Sequence, residues 1–242
     1  MYPYTEIHPD HKIKTYLKLK ANKILEKRKD NRDKELTNYE ESIRNFFLDL
    51  YELDEIMHNL YDFRYYFGTF RFSDKNISKY RYLRKNILDY NNMLYLFHER
   101  IKRMLNKLKK TIFHDIKENE QYENYYKNTI RKFLNALEGV KKRRGSIAHD
   151  TSIETKNLVD IGSLEALLDS ENIMDLNQNQ LKSFSDEIFR KERKIYKSMA
   201  VNEYKDLLEY MKSLYDFLAD ILLDKELIYT FNINGYGNKN AQ

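Results

Sequence analysis

Apolar residues recur at spacings of three and four over most of the chain, which is the period of an α-helix that buries one face. The first such stretch begins near Asp10 and is patchy. A tighter stretch starts at Asn38 and ends within the aromatic segment Tyr61 to Phe72, and the longest runs from Ile77 to Ile112. A seam of that length predicts a helix that packs antiparallel against its neighbours as the spine of a bundle.

Two further helices are predicted on either side of a polar segment. The fourth helix is expected from Tyr122 to Val140 and the last from Leu181 to Leu222. Between them, residues 150–180 are rich in Asp, Asn, Ser and Gln, so we expect a surface insertion that holds one short helix. The tail from about 230 to 242 is rich in Gly and Asn and is expected to be loose.

The pattern predicts a single helical domain over residues 1–242, of the all-α class, built as an antiparallel bundle of several helices. Residues from about 1 to 72 form an N-terminal helical extension, and residues from about 73 to 225 form the bundle with its insertion. Only 6 Gly and 2 Pro are present, too few for the tight turns of a β-sandwich, a β-barrel or a glycine-looped nucleotide-binding sheet. The absence of Cys excludes disulfides, thiolate catalysis and thiolate metal sites.

The net charge of +5 is distributed unevenly along the chain. Residues 1–73 are neutral, residues 74–150 carry +10 and residues 151–242 carry −5. A basic middle third predicts a surface that faces a polyanion, and Lys-rich helices that are simply solvated are the plain alternative. No run of 18 apolar residues and no signal-peptide pattern is found, so we expect a cytoplasmic protein without a membrane span.

Five of the six histidines carry no recognisable catalytic pattern. No carboxylate pair at metal-ligand spacing accompanies His8 and His11 near the N-terminus. The three histidines on predicted helices are expected to be solvated or packed in the bundle: His58, His98 and His114. The chain has no zinc-protease motif, phosphate-binding loop or nucleophile elbow. We therefore expect neither a metal ion nor another cofactor.

His149 differs from these because an arginine precedes it at a helix break. The chain reads Arg-Gly-Ser-Ile-Ala-His-Asp from Arg144 onward. If a new helix begins after Gly145 with Ser146 as its N-cap, Arg144 projects from the break and His149 lies about one turn into the helix. The two side chains then converge on one anion. A cationic helix C-terminus next to an ordinary surface histidine is the plain alternative.

This segment resembles the signature of the HEPN superfamily, which comprises small all-helical domains with an arginine, four to six variable residues and a histidine. It is close to the Arg-Asn-x-Ile-Ala-His form of that family, with Gly145 where a polar residue is usual. The resemblance implies a metal-independent endoribonuclease in which Arg144 and His149 are catalytic. Auxiliary roles fall to the neighbouring residues Arg143, Ser146 and Asp150.

By the same resemblance, the protein is a homodimer in which two motifs form one composite site, and a prokaryotic toxin or abortive-infection effector in antiviral defence. RNA is the expected substrate, and an antitoxin or other regulatory protein is a second partner. The cations expected to hold the RNA backbone lie on the third helix and beside the motif. They are Arg100, Arg103, Lys107, Lys110, Lys141 and Lys142.

Other interpretations stay open on the residues alone. Tyr122, Tyr125 and Tyr126 are candidates for base stacking, but a place in the bundle core or at an interface accounts for them equally well. The chain is alternatively a catalytically inactive helical module that binds RNA or acts as a scaffold. A plain helical interaction protein, whose basic segment meets an acidic partner, is the third hypothesis.

Overall fold

The computed structural model describes residues 12–30, 38–69, 77–115, 120–139, 155–170 and 178–220. Within these ranges the regular structure is helical and contains no strand, so the predicted all-α class is confirmed. Six α-helices are described: α1 Lys12–Asp30, α2 Asn38–Tyr66, α3 Lys79–Asp115, α4 Glu120–Ala136, α5 Lys156–Asp169 and α6 Gln178–Ala219. The three long ones, α2, α3 and α6, correspond to the three longest periodic apolar stretches of the sequence.

The start of α3 is fixed by two side chains that satisfy its first N–H groups. Ser78 Oγ accepts a hydrogen bond from Arg81 N at 3.1 Å. The Glu165 carboxylate of α5 accepts hydrogen bonds from Lys79 N at 2.7 Å and from Tyr80 N at 3.1 Å. The first N–H groups of a helix have no partner within the helix, so these acceptors define where α3 begins.

The described residues divide into two compact units. The first unit contains those up to Ile56, those from Phe97 to Glu138 and those from Leu207 onward. The second contains those from Met57 to Leu96 and from Gly139 to Asp206. The expectation of one domain over the whole chain stays a prediction.

The core of the first unit combines aliphatic side chains with a polar contact among three helices. The fully buried residues include Leu53, Ile101 and Leu214, from α2, α3 and α6. Beside them the Asp54 carboxylate accepts hydrogen bonds from Lys14 Nζ and from Tyr215 Oη, each at 2.8 Å. A buried phenol needs such an acceptor, and this one ties α1, α2 and α6 together.

The core of the second unit is built around aromatic rings. Phe63, Phe67 and Tyr90 pack edge to face or tilted, with centroids 5.2 to 6.0 Å apart. Tyr90 Oη donates a hydrogen bond to Glu203 of α6 at 2.6 Å. Aromatic pairs of this kind stabilise a core beyond the area they bury.

Helix α5 lies in the segment that the sequence predicts to be a surface insertion. The predicted short helix is present, but it spans 14 residues, and both Leu158 and Ile161 are fully inaccessible to solvent. A Cβ atom on Gly162 would lie 3.1 Å from the Tyr80 ring, so glycine permits the close approach of α5 to α3. The described part of this segment is therefore packed into the second unit, and three of its polar residues, Thr155, Asn157 and Glu165, form hydrogen bonds to other helices.

Candidate nucleic-acid interface

The predicted catalytic pair lies outside the described residues. This applies to Arg144 and His149 and to the neighbouring residues to which auxiliary or RNA-binding roles are assigned: Arg143, Ser146, Asp150, Lys141 and Lys142. Their roles, and the predicted helix start after Gly145, stay predictions.

The chain beyond the motif is described again from Thr155, six residues after His149. Thr155 is the N-cap of α5: its Oγ1 accepts a hydrogen bond from Leu158 N at 3.1 Å and donates one to Glu192 of α6 at 2.7 Å. Asn157 Nδ2 donates to the other oxygen of the same carboxylate, also at 2.7 Å. Glu192 is buried, and a buried carboxylate requires such donors. Helix α6 thus fixes the start of α5.

Three of the cations predicted to bind RNA form ion pairs within the first unit. Arg103 Nη2 and Lys107 Nζ each lie 2.7 Å from a different oxygen of the Asp49 carboxylate. Arg100 Nη1 lies 2.7 Å from Glu52, which Arg103 also contacts at 3.0 Å. A phosphate would have to compete with carboxylates that already hold these groups. The assignment of the three cations to RNA stays a prediction.

The other residues predicted to contact RNA on α3 and α4 fall in different surroundings. The side chains of Lys110 and Tyr122 lie outside the described ones. Tyr126 is 2% exposed and packs against Phe217, with ring centroids 6.1 Å apart, so it belongs to the core of the first unit. Tyr125 is 56% exposed and is the one of the two described tyrosines that can reach a ligand.

The described histidines do not form a metal site. His98 is buried, and its Nδ1 lies 3.2 Å from Glu99 Oε1. His58 is partly buried on α2, and His8, His11 and the side chain of His114 lie outside the described residues. In the described part of the chain, no three His, Cys, Asp or Glu side chains are grouped so that they could hold a metal ion.

A second basic surface, which the division of the chain into thirds does not reveal, lies on α6 in the second unit. Five of the eight residues from 190 to 197 are Lys or Arg, yet they fall within the net acidic last third. Arg190, Lys194 and Lys197 are exposed and lie at helical spacings of four and three, on one side of α6. The repeat of basic residues at these spacings is the sequence signal that could have located this surface.

The end of α2 is held against α6 by polar contacts around Arg193. Arg193 Nε donates a hydrogen bond to Phe67 O at 3.0 Å, and Tyr82 Oη donates to Tyr66 O at 2.5 Å and to Thr69 O at 2.9 Å. Burial raises the pKa of the Tyr82 phenol, an effect that the Arg193 charge opposes. Burial also lowers the pKa of the Arg193 guanidinium. A cation at a helix C-terminus is favourable because the unsatisfied carbonyls carry partial negative charge.

Comparison of the chain with protein-family models, with curated proteins and with solved structures found no significant match. None of the helices α1 to α6 combines the length and the apolar character of a membrane span.

Proposed function

We propose that the protein is a metal-independent endoribonuclease of HEPN type, with Arg144 and His149 as its catalytic residues. The observation that carries the proposal is the spacing of these two residues in an Arg-Gly-Ser-Ile-Ala-His segment. The all-α structure of the described residues supports it, because the resembling family is helical.

The proposed reaction is an internal transesterification of RNA. His149 takes the proton from a ribose 2'-hydroxyl, whose oxygen attacks the adjacent phosphorus while the bond from phosphorus to the 5'-oxygen breaks. The partner subunit's His149 gives a proton to that 5'-oxygen, so the products are a 2',3'-cyclic phosphate and a 5'-hydroxyl. Arg144 holds the phosphate through two hydrogen bonds of its planar guanidinium as negative charge accumulates on the oxygens.

In the same proposal the enzyme is a homodimer and acts as a prokaryotic toxin or abortive-infection effector, controlled by an antitoxin or another regulatory protein. DNA is not cut, because it lacks the 2'-hydroxyl that attacks. A helical module that binds RNA without cleaving it is the second candidate. The exposed, regularly spaced cations of α6 favour it independently of the motif.

The test is incubation of purified protein with total RNA in EDTA. The wild type is expected to cleave, with cyclic phosphate ends, and to leave a 2'-deoxy substrate of the same sequence intact. His149→Ala and Arg144→Ala are each expected to lower the rate at least about a hundredfold, the scale of a general acid–base or oxyanion contribution. Arg81→Ala is the matched control, because Arg81 is an exposed arginine of α3.

Two outcomes contradict the proposal. If the wild type does not cleave RNA at any protein concentration, the non-catalytic module is the better description. If His149→Ala and the wild type cleave equally, the activity belongs to another nuclease in the preparation. Light scattering of the same samples tests the expected dimer.

A further inference from the structure

The first helix, α1, has the highest density of positive charge among the described helices. Its 19 residues include eight Lys or Arg and two Asp or Glu, which gives a net charge of +6. The sum over residues 1–73 is zero only because the remainder of that segment is acidic. A concentration of like charge on one helix creates a local field that attracts anionic partners.

Some lysines of α1 contact groups within the first unit, and others do not. Lys14 Nζ lies 2.7 Å from the Asp54 carboxylate of α2, and Lys20 Nζ lies 5.5 Å from the centroid of a tyrosine ring of the same helix. Three others are exposed, and no carboxylate among the described residues pairs with them: Lys18, Lys23 and Lys29. The charge of these three lysines is therefore directed to solvent.

Two leucines lie on the same exposed side of α1 as these lysines. Leu19 is 58% exposed and Leu25 is 55% exposed, whereas the opposite side of the helix is buried in the core of the first unit. Spacings of seven and four residues form two rows along the helix, about 120° apart around its axis, which together border the solvent-facing side. We call this surface the α1 basic face, comprising Lys18, Leu25 and Lys29 in one row and Lys12, Leu19 and Lys23 in the other.

The residue types of the α1 basic face favour an anionic lipid surface over a protein or a nucleic acid. Every cation of α1 whose side chain is described is a lysine, which is depleted at protein–protein interfaces, whereas arginine is the usual choice for recognition of nucleic acid. Among the described side chains of α1 no aromatic ring is exposed, so the face offers no ring for base stacking. Lysines interspersed with leucines are typical of helices that lie on anionic membranes.

We propose that the α1 basic face binds the surface of an anionic membrane, with its lysines on the lipid phosphates and with Leu19 and Leu25 inserted among the headgroups. The buried side of α1 stays in the core of the first unit, so the helix lies along the surface and does not span the bilayer. The four lysines of the face outnumber Glu26, the one acidic side chain described on α1. Membrane binding is separate from the proposed cleavage of RNA and does not require it.

The experiment measures sedimentation of the full chain with vesicles made of equal parts of phosphatidylglycerol and phosphatidylcholine. The wild type is expected to bind these vesicles and not vesicles of phosphatidylcholine alone, with an affinity that falls as the salt concentration rises. Lys18→Gln/Lys23→Gln/Lys29→Gln is expected to weaken binding about a hundredfold, since each lysine near an anionic surface contributes about 1 kcal/mol.

The matched control removes the same charge from three other helices of the first unit. It is Lys102→Gln/Lys132→Gln/Lys212→Gln, at exposed lysines of α3, α4 and α6. Because these lysines lie outside the α1 basic face, the control is expected to change the affinity less than about threefold.

The leucines are tested on the same vesicles. Leu19→Ser/Leu25→Ser is expected to weaken binding about tenfold, the scale of two leucines that are partly buried in lipid. Leu48→Ser/Leu96→Ser, at exposed leucines of α2 and α3, is the matched control and is expected to leave the affinity unchanged. Thermal unfolding of every variant shows whether it is folded.

Several outcomes overturn the inference. The wild type binds no anionic vesicles, or it binds neutral vesicles equally well, or the two triple lysine variants lose the same affinity, in which case net charge and not α1 is responsible. If the leucine variant binds as the wild type does, the leucines do not enter the lipid. If the lysines of α1 are needed for binding RNA or an acidic polypeptide and not for binding vesicles, the face serves that partner instead. The proposed ribonuclease is measured by cleavage without vesicles, so none of these results decides it.

Discussion

Asp49 and its two cations provide a quantitative test of the structure of the first unit. The Asp49 side chain is 6% exposed, whereas those of Arg103 and Lys107 are 45% and 49% exposed. Each cation lies 2.7 Å from one carboxylate oxygen. The Asp49 carboxylate is therefore largely shielded from solvent, whereas the two cations can be hydrated. The free energy of unfolding consequently depends on whether at least one cation remains beside the carboxylate.

The expected destabilisations follow from this asymmetry. Arg103→Ala or Lys107→Ala alone is expected to lower the free energy of unfolding by about 1 kcal/mol, because each removes one charge-assisted hydrogen bond to Asp49 while the other cation remains beside the carboxylate. Arg103→Ala also removes the contact with Glu52, but both of these side chains are more than 40% exposed, so that pair contributes little. The double variant leaves a buried carboxylate without a cation and is expected to lose about 4 kcal/mol. Adding Asp49→Leu to the double variant removes the buried charge and is expected to restore about 2 kcal/mol.

The assay is urea unfolding at pH 7 followed by circular dichroism and by tyrosine fluorescence, whose transitions must coincide for the free energies to be comparable. The decisive quantity is the excess of the double variant over the sum of the two single variants, expected to be about 2 kcal/mol. The reasoning is refuted if the effects add within about 0.5 kcal/mol, or if Asp49→Leu destabilises the double variant further.

Two other expectations concern buried polar groups. Burial raises the pKa of Tyr210 and Tyr215 above the ordinary 10.0, so the stabilisation from keeping these phenols protonated is complete below about pH 10 and is lost as the pH rises further. The free energy of unfolding in urea should be lower at pH 11 than at pH 8, and Tyr210→Phe should reduce this difference. Glu192→Ala leaves Thr155 and Asn157 without their acceptor and is expected to destabilise the second unit by about 2 to 3 kcal/mol, and Glu192→Gln, which keeps one acceptor oxygen, by about half of that. Hydrogen exchange at the α5 amides measures the destabilisation by each variant. Equal effects of Glu192→Ala and Glu192→Gln would contradict the role of the Glu192 carboxylate as the acceptor for Thr155 and Asn157.

Helices with long hydrophobic seams could be predicted closely from the sequence, because local periodicity determines them. The third helix was expected from Ile77 to Ile112 and is observed from Lys79 to Asp115. The fine position of its start depends on Ser78 and on Glu165, which lies 86 residues from Lys79 along the chain. An acceptor supplied from another helix has no local signature.

The segment around α5 was harder to interpret for the same reason. Its polar residues favoured a surface insertion, yet Asn157 bonds to Glu192 and Glu165 bonds to the start of α3. A polar residue that pairs within the fold and one that faces solvent look alike in a sequence. Leu158 and Ile161 are both buried, but two apolar positions are too few to predict a packed helix in a segment with so many polar residues.

The net charge of a segment likewise does not reveal which of its cations are paired within the fold. This pairing determines where RNA is expected to bind. The middle third of the chain carries +10, but the cations on α3 that suggested an RNA surface face Asp49 and Glu52 from the neutral first third. The last third carries −5, yet on α6 it contains Lys194 and Lys197, which form no ion pair among the described residues. Electrostatic interactions at physiological salt are screened beyond about 8 Å, so a partner responds to the local set of charges and not to the sum over a segment. The salt dependence of RNA binding should therefore respond more to substitutions of the exposed cations on α6 than to Arg103→Ala or Lys107→Ala alone, each of which leaves Asp49 paired with the other cation.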